Sequence, residues 1–302
     1  MSARPLSSLD RRAIDVTQGS GTQSPYRDAL TPDQKALLRR RLDGISVLLA
    51  GQSNVVMQLA NYPVGRGVLE STVRSGSVME HPFKRFRTTV GYIDIAIYGD
   101  DQLRADYRSA VNGVHRQVRS KPSSPVNYNA FNRNLQLWVA SCMYYGFRDT
   151  FVLMHGEMTP AEEEDLLRIC ARFGTTLQMP LESWHPSRAA FEAYWAEGVE
   201  QVHFDDDTRR YLRSLVDSDF FPLGLKWLFA PTLRFFNTGY LPPQFRDELG
   251  LTWSDRQDRI FRRTMRAIGI LNRPLPESFR RAPANLMTLN IRTRRALGRP
   301  LV

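Results

Sequence analysis

The stretch LQLWVASCMYYGFRDTFVLM, Leu135–Met154, decides the fold. It is apolar on nearly every face at the helical period, broken only by Gln136, Arg148 and Asp149 among its strongly polar positions. A helix that is apolar all round sits inside the protein with other helices packed around it. The neighbouring segments carry matching helix signals. Thr31-Pro32-Asp33-Gln34 and Thr159-Pro160-Ala161-Glu162 each place Thr at the N-cap, Pro at the first helical position and an amide or acid two positions on. Asp100-Asp101 opens a helix over Gln102–Arg119 with the stripe Leu103, Tyr107, Val111, Val114, Val118. Further helices are expected over Ile45–Leu59, Phe83–Tyr98, from Ser187, over Asp206–Val216 and over Ser254–Ile268, with a break at Pro63-Val64-Gly65-Arg66-Gly67. The expected fold is all-α, a single multi-helix domain of about ten helices over residues 29–270. A Ser-, Gly- and Thr-rich flexible arm precedes it at 1–28, and an Arg-rich tail follows at 271–302.

The chain has 302 residues and a net charge of +10. That charge is local. From Ile260 to Val302 there are ten Arg against one acid, Glu277, so the rest of the chain is nearly neutral. The two cysteines, Cys142 and Cys170, lie in apolar runs without a C-x-x-C pair. A zinc site or disulfide framework is therefore not expected, and a reducing, cytoplasmic location is. Met1–Asp28 lacks the apolar block of a signal peptide. The most apolar window, Phe220–Phe236, is interrupted by Pro222, Lys226, Pro231 and Arg234, which rules it out as a spanning helix. It reads either as a core helix pair or as a surface for lipid. The basic end has no aromatic interleaving and no helix-turn-helix, which argues against nucleic acid and leaves two expectations: packing over an acidic face of the body, or peripheral contact with an anionic membrane on its inner face.

H-E-x-x-H, P-loop, G-x-G-x-x-G and G-x-S-x-G patterns are absent. Five His remain to be weighed. His115 falls at the edge of the Leu103–Val118 stripe with Arg116 and Arg119 close by. It is either a satisfied boundary residue or a haem-iron ligand, a neutral imidazole in an apolar wall with an Arg one turn on for a propionate. His155 ends the long apolar helix, where the dipole favours it. His81 and His185 read as turn residues, and His203 as half of an exposed ion pair beside Asp205–Asp207. The acids Glu162–Asp165 suit a helix N-terminus rather than a metal. Glu70 lies in the polar-poor segment Gly67-Val68-Leu69-Glu70-Ser71: buried, it has a raised pKa and can act as acid or base; exposed, it is a loop acid.

Several stretches in order resemble the family of the fungal oxygenase MpaB and the latex-clearing (rubber) oxygenases. They are Leu48-Leu49-Ala50-Gly51, Gln58 through Pro63, Gly67 through Ser71, Arg85-Phe86-Arg87-Thr88, Val114-His115-Arg116-Gln117-Val118-Arg119, Leu137-Trp138-Val139, and Trp184 with Phe191 through Trp195. The resemblance implies a globin-like helical core around a haem b pocket. His115 is then the proximal iron ligand, with Lys84 and Arg119 also on the cofactor. Glu70, Arg87 and Thr88 become the catalytic residues: Arg87 and Thr88 on the distal side, Glu70 as base near dioxygen. The implied activity is oxidative attack on an apolar, isoprenoid- or lipid-like substrate with dioxygen. Asn61 and Ala140 stand where members commonly carry His. Two other function classes fit the same residues: a non-catalytic haem protein (sensor, carrier or electron transfer), and a cofactor-free helical protein that binds anionic membrane.

Overall fold

A computed structural model describes residues 29–302. The expected arm of 1–28 lies outside the described residues. Among these the chain forms fifteen α-helices and no sheet. They are α1 (Pro32–Arg41), α2 (Gly44–Leu59), α3 (Tyr62–Leu69), α4 (Pro82–Tyr98), α5 (Asp101–His115), α6 (Arg133–His155), α7 (Pro160–Cys170) and α8 (Arg172–Thr175). There follow α9 (Arg188–Glu200), α10 (Asp206–Val216), α11 (Leu223–Tyr240), α12 (Pro243–Glu248), α13 (Asp255–Asn272), α14 (Glu277–Arg280) and α15 (Ala282–Ala296). The fold is all-α. It holds more helices than expected because short turns such as α8, α12 and α14 leave too little periodicity to read.

Helix α6 is the axis. Trp138, Ser141, Cys142, Tyr144, Phe151 and Met154 are all buried on it. Its flanks are α2, α7, α8, α9 and α13. Trp138 stacks on Trp195 of α9 at 5.5 Å, while its indole N–H donates to the carbonyls of Met57 and Gln58 at the end of α2. A buried Trp needs such an acceptor. On the other side α13 crosses α6 at backbone distance: a Cβ on Gly269 would stand 2.1 Å from the Met154 carbonyl oxygen. Both Thr caps form as capping boxes, at α1 and α7. The acids opening α7 are occupied structurally. Glu162 pairs with Arg40 and Arg41 of α1, and buried Glu163 accepts from Arg148 of α6 at 2.8 Å.

Two local expectations are corrected. Pro63–Gly67 is not a break but the body of α3, because Asn61 caps it and Pro63 occupies its first turn. The two glycines there are buried contact points: a Cβ on Gly65 would meet the Leu59 carbonyl oxygen at 2.5 Å, and one on Gly67 the Tyr128 ring at 3.2 Å. Helix α5 ends at His115, not Arg119. Residues beyond it turn back, and Arg119 forms an isolated antiparallel bridge with Asn129. His185 does lie in the connection between Ser183 and α9, but it is not idle there. It is buried, with Nε2 2.8 Å from Ser141 Oγ of α6.

The Phe220–Tyr240 window divides. Phe236, Asn237, Thr238 and Tyr240 are buried against α2 and α13, whereas Leu223, Trp227 and Leu228 at the start of α11 are exposed. Residues 271–302 form α14 and α15, and α15 runs antiparallel along α4: Ile291 packs on Gly91, and Thr288 Oγ1 donates to Asp94 at 2.6 Å. Arg281 pairs with Asp94 at 2.7 Å and Arg295 with Asp106 at 2.5 Å. No described helix is long and apolar enough to cross a membrane.

Candidate functional site

The ends of α3 and α5, the start of α4 and the face of α10 converge. Glu70 is the C-cap of α3. One carboxylate oxygen accepts two N–H bonds from Arg66, at 2.9 and 2.6 Å, one turn back on the same helix. The other accepts from the Ser124 hydroxyl and, at 3.0 Å, from the Tyr128 hydroxyl. Ser124 and Tyr128 belong to the segment that returns from α5, so Glu70 ties that segment to α3. Arg66 in turn reaches Asp205 at 3.3 Å, and Tyr62 donates to the same carboxylate oxygen at 2.9 Å. Partial burial raises the Glu70 pKa, but the hydrogen bonds from Ser124, Arg66 and Tyr128 outweigh it and leave the value lowered. The raised pKa expected for a buried Glu70 is therefore corrected: its donors, not its burial, decide its charge state. Glu70 lines an open cleft of about 500 Å³ with Arg66, Leu69, Asp207, Arg210 and Tyr211.

His115 is the last residue of α5 and half-buried. Its ring meets Phe131 edge-on at 6.2 Å. Burial, and then the charge of Arg85, lower its pKa from 6.5 to about 4. The imidazole is thus neutral at physiological pH. Its Nδ1 is buried and has no hydrogen-bond partner. Buried ring nitrogens are normally paired, and an orphan is an observation that asks for a ligand.

Residues Lys84–Thr88 lie in the first two turns of α4. Arg85 and Arg87 stand two positions, about 200°, apart on the helix and so face different ways. Arg85 lies in the field of His115 and of Tyr211, which joins it electrostatically to the Glu70 cleft. Arg87 faces α15, one turn from the Gly91–Ile291 contact; its Nε is buried without a partner, and burial followed by the Arg294 charge lowers its pKa. The Thr88 hydroxyl donates to the Arg85 carbonyl at 3.0 Å, and the Thr88 carbonyl accepts from Tyr107 of α5 at 2.6 Å. Lys84 makes no ion pair with a described residue. Arg119, off the helix, is exposed.

The structure thus gathers Glu70, Arg85, His115 and Tyr211 about one region, with Thr88 behind them and Arg87 turned toward α15. Arg66, Ser124 and Tyr128 were not singled out from the sequence, since nothing local marks a hydroxyl that bonds an acid more than fifty positions away. Arg85 was legible as part of Arg85-Phe86-Arg87-Thr88, but not which of its two arginines faces His115. Asn61 and Ala140 are otherwise employed: the Asn61 side chain caps α3, and Ala140 is fully buried. His81 is the exposed N-cap residue of α4, without a side-chain cap bond, and two other His stand beside acids. His155 is 3.3 Å from Asp43, and exposed His203 is 3.5 Å from Glu248. No group of three His, Cys, Asp or Glu among the described residues could hold a bare metal ion. A haem iron needs no such group, because the porphyrin supplies four of its ligands.

Comparison with known proteins gives the same direction. Residues 38–270 match the family described as "ER-bound oxygenase mpaB/B'/Rubber oxygenase, catalytic domain". Uncharacterized proteins of Mycobacterium bovis and Mycobacterium tuberculosis are each 42% identical over 229 residues, which is 76% of this chain and 90% of each relative. No solved structure matches the chain. With the greater part of its length inside the matched region, the chain belongs to the mpaB/rubber oxygenase catalytic-domain family.

Proposed function

We propose that the protein is a haem-b-dependent oxygenase whose proximal iron ligand is His115. The observation that carries this reading is the neutral, half-buried His115 ring with a buried and partnerless Nδ1. A metal ligand must offer an unprotonated nitrogen, and burial with the Arg85 charge keeps this one unprotonated. The donor set therefore fits the group. Haem b, when bound, supplies the redox iron at which dioxygen is activated.

The chain's own residues have distinct tasks. Lys84 and Arg119 are the cations assigned to the haem carboxylates. The family resemblance assigns Arg87 and Thr88 to the oxygen side, but Arg87 faces α15 and the Thr88 hydroxyl is given to the Arg85 carbonyl, so Arg85, in whose field His115 lies, is the cation proposed for that task. Glu70 is ionised at neutral pH and accepts the hydroxyls of Ser124 and Tyr128; it is assigned the proton relay at the cleft as a carboxylate, not as an acid, and its lowered pKa makes it a weak base. The family description names rubber oxygenase. An apolar, isoprenoid- or lipid-like substrate is the corresponding class for this chain.

A second reading keeps the haem but not the catalysis: the positions of Asn61 and Ala140 supply a helix cap and a core methyl instead of imidazoles. Absorption spectra of the purified, haem-supplemented protein, oxidised and dithionite-reduced, test the first claim. A Soret band that His115→Ala abolishes is expected; a protein that takes up no haem, or a variant with an unchanged spectrum, overturns it. Oxygen consumption with a polyisoprenoid then separates oxygenase from carrier.

A further inference from the structure

The basic C-terminal segment is anchored at both ends and bare between. Gly269 of α13 seats on the Met154 carbonyl at the end of α6. Arg280 of α14 reaches Asp43 at 3.2 Å, and the Asp43 carboxylate lies 3.3 Å from Nε2 of His155, the last residue of α6. The chain from 270 to 279 is therefore held across the C-terminal pole of α6. Its apolar side chains are not buried there: Leu271 is 73% and Phe279 71% exposed, and Ile270 and Leu275 are exposed as well. Leu286 and Leu289 of α15 are also exposed. Such a run is more than the scattered surface Leu of an ordinary soluble protein.

Cations border it. Arg263, Arg266, Arg273, Arg292 and Arg299 are exposed, and none forms an ion pair with a described residue. The acids within reach are already taken: Asp43 by Arg280, Asp94 by Arg281 and Asp106 by Arg295. All of these apolar and unpaired basic residues except Arg263, Arg266 and Ile270 lie beyond the region matched to the oxygenase family.

We propose that this pole, residues 263–299, docks the protein on an anionic lipid bilayer. The chemistry selects the occupant. Apolar side chains inserted at the headgroup boundary and arginines held at headgroup level are the two signals that together give stable peripheral binding, where either alone is marginal. A second copy of the chain is disfavoured, because a two-fold pairing would set the arginines of one protomer against those of the other. Nucleic acid would leave Leu271 and Phe279 uncovered. The inference does not depend on the haem assignment, and its test reads binding rather than activity.

Co-sedimentation of the full-length protein with phosphatidylcholine vesicles, and with the same vesicles containing phosphatidylglycerol, is the experiment. Binding to the anionic vesicles, weakening with salt, is expected. Replacing Arg273 and Arg292 by Ala lowers it by about 25-fold, at about fivefold per cation near the surface. Leu271→Asp with Phe279→Asp abolishes it while the melting temperature holds, since neither side chain is in the core. Equal binding to both vesicle types, or binding to neither, overturns the proposal. So does an Asp double variant that binds vesicles as before, or one that instead turns an oligomer into a monomer.

Discussion

His115 and His185 are two imidazoles with the same lowered basicity, each near 4, in opposite surroundings. His185 is enclosed by Trp184, Phe191 and Tyr194, and its Nε2 meets the Ser141 hydroxyl. Its burial is compensated and its place is in the core. His115 has one aromatic neighbour, a cation in its field, and an unpaired buried nitrogen. Burial is the chief cause of both depressed values, so a shifted pKa does not distinguish a site from a core residue. What distinguishes them is whether the ring's polar atoms have partners.

The comparison breaks most sharply on cofactor binding. His115→Ala should weaken haem affinity by more than about a hundredfold, beyond what loss of an outer-shell partner costs, and His185→Ala should leave it intact; a haem titration followed at the Soret band decides this. The order reverses for stability. His185→Ala opens a cavity and strands the Ser141 hydroxyl, at about 2–4 kcal/mol, whereas His115→Ala breaks no hydrogen bond and should cost about 1 kcal/mol or less. Urea denaturation of the apo-proteins measures both. Combining His185→Phe with Ser141→Ala should cost less than the two changes separately, because no buried polar atom is then left alone.

Glu70 extends the comparison to a group whose partners lower rather than merely tolerate its titration. Glu70→Gln keeps the volume but sets an amide against the Arg66 and hydroxyl donors, for about 1–3 kcal/mol. Its lowered folded-state pKa also fixes a sign: the stability Glu70 contributes is present above about pH 4.5 and is lost as pH falls through the folded value. The Gln variant should therefore lose less stability than the parent on acidification below that point. The histidines set a second pH window. Both pKa values fall on folding, so the unfolded chain binds more protons between pH 6.5 and about 4. Their neutral rings cost nothing above pH 6.5, and stability declines as pH drops toward 4. His185→Phe should flatten the dependence of melting temperature on pH across that window.

Much of this arrangement was legible in the sequence. The all-round apolarity of Leu135–Met154 announced a central helix, and α6 spans Arg133–His155. The Thr caps and Asp100 announced the starts of α1, α7 and α5, since capping is chemistry between residues three positions apart. Errors came where a local signal has two meanings. Pro63 with Gly65 and Gly67 reads as a break unless one knows that Leu59 and Tyr128 press against those glycines. Val114 and Val118 continue a helical stripe, yet the chain turns after His115 so that Tyr128 can reach Glu70.

By itself the sequence determined the helical class, the position of the central helix, the concentration of positive charge at the C-terminus, and His115 as the histidine worth testing. The first three follow from periodicity, capping and composition, which act over a few residues; His115 follows from the resemblance of Val114–Arg119 to the family's haem-ligand stretch. Only the tertiary structure decided that His115 Nδ1 is left unpaired, that Ser124, Arg66 and Tyr128 lower the Glu70 pKa, and that Arg85 rather than Arg87 lies in the field of His115. It also decided that the basic segment is two docked helices with exposed apolar side chains. Burial and partnership belong to residues far apart in the chain, and a pKa or an orphaned donor exists only once those residues have been brought together.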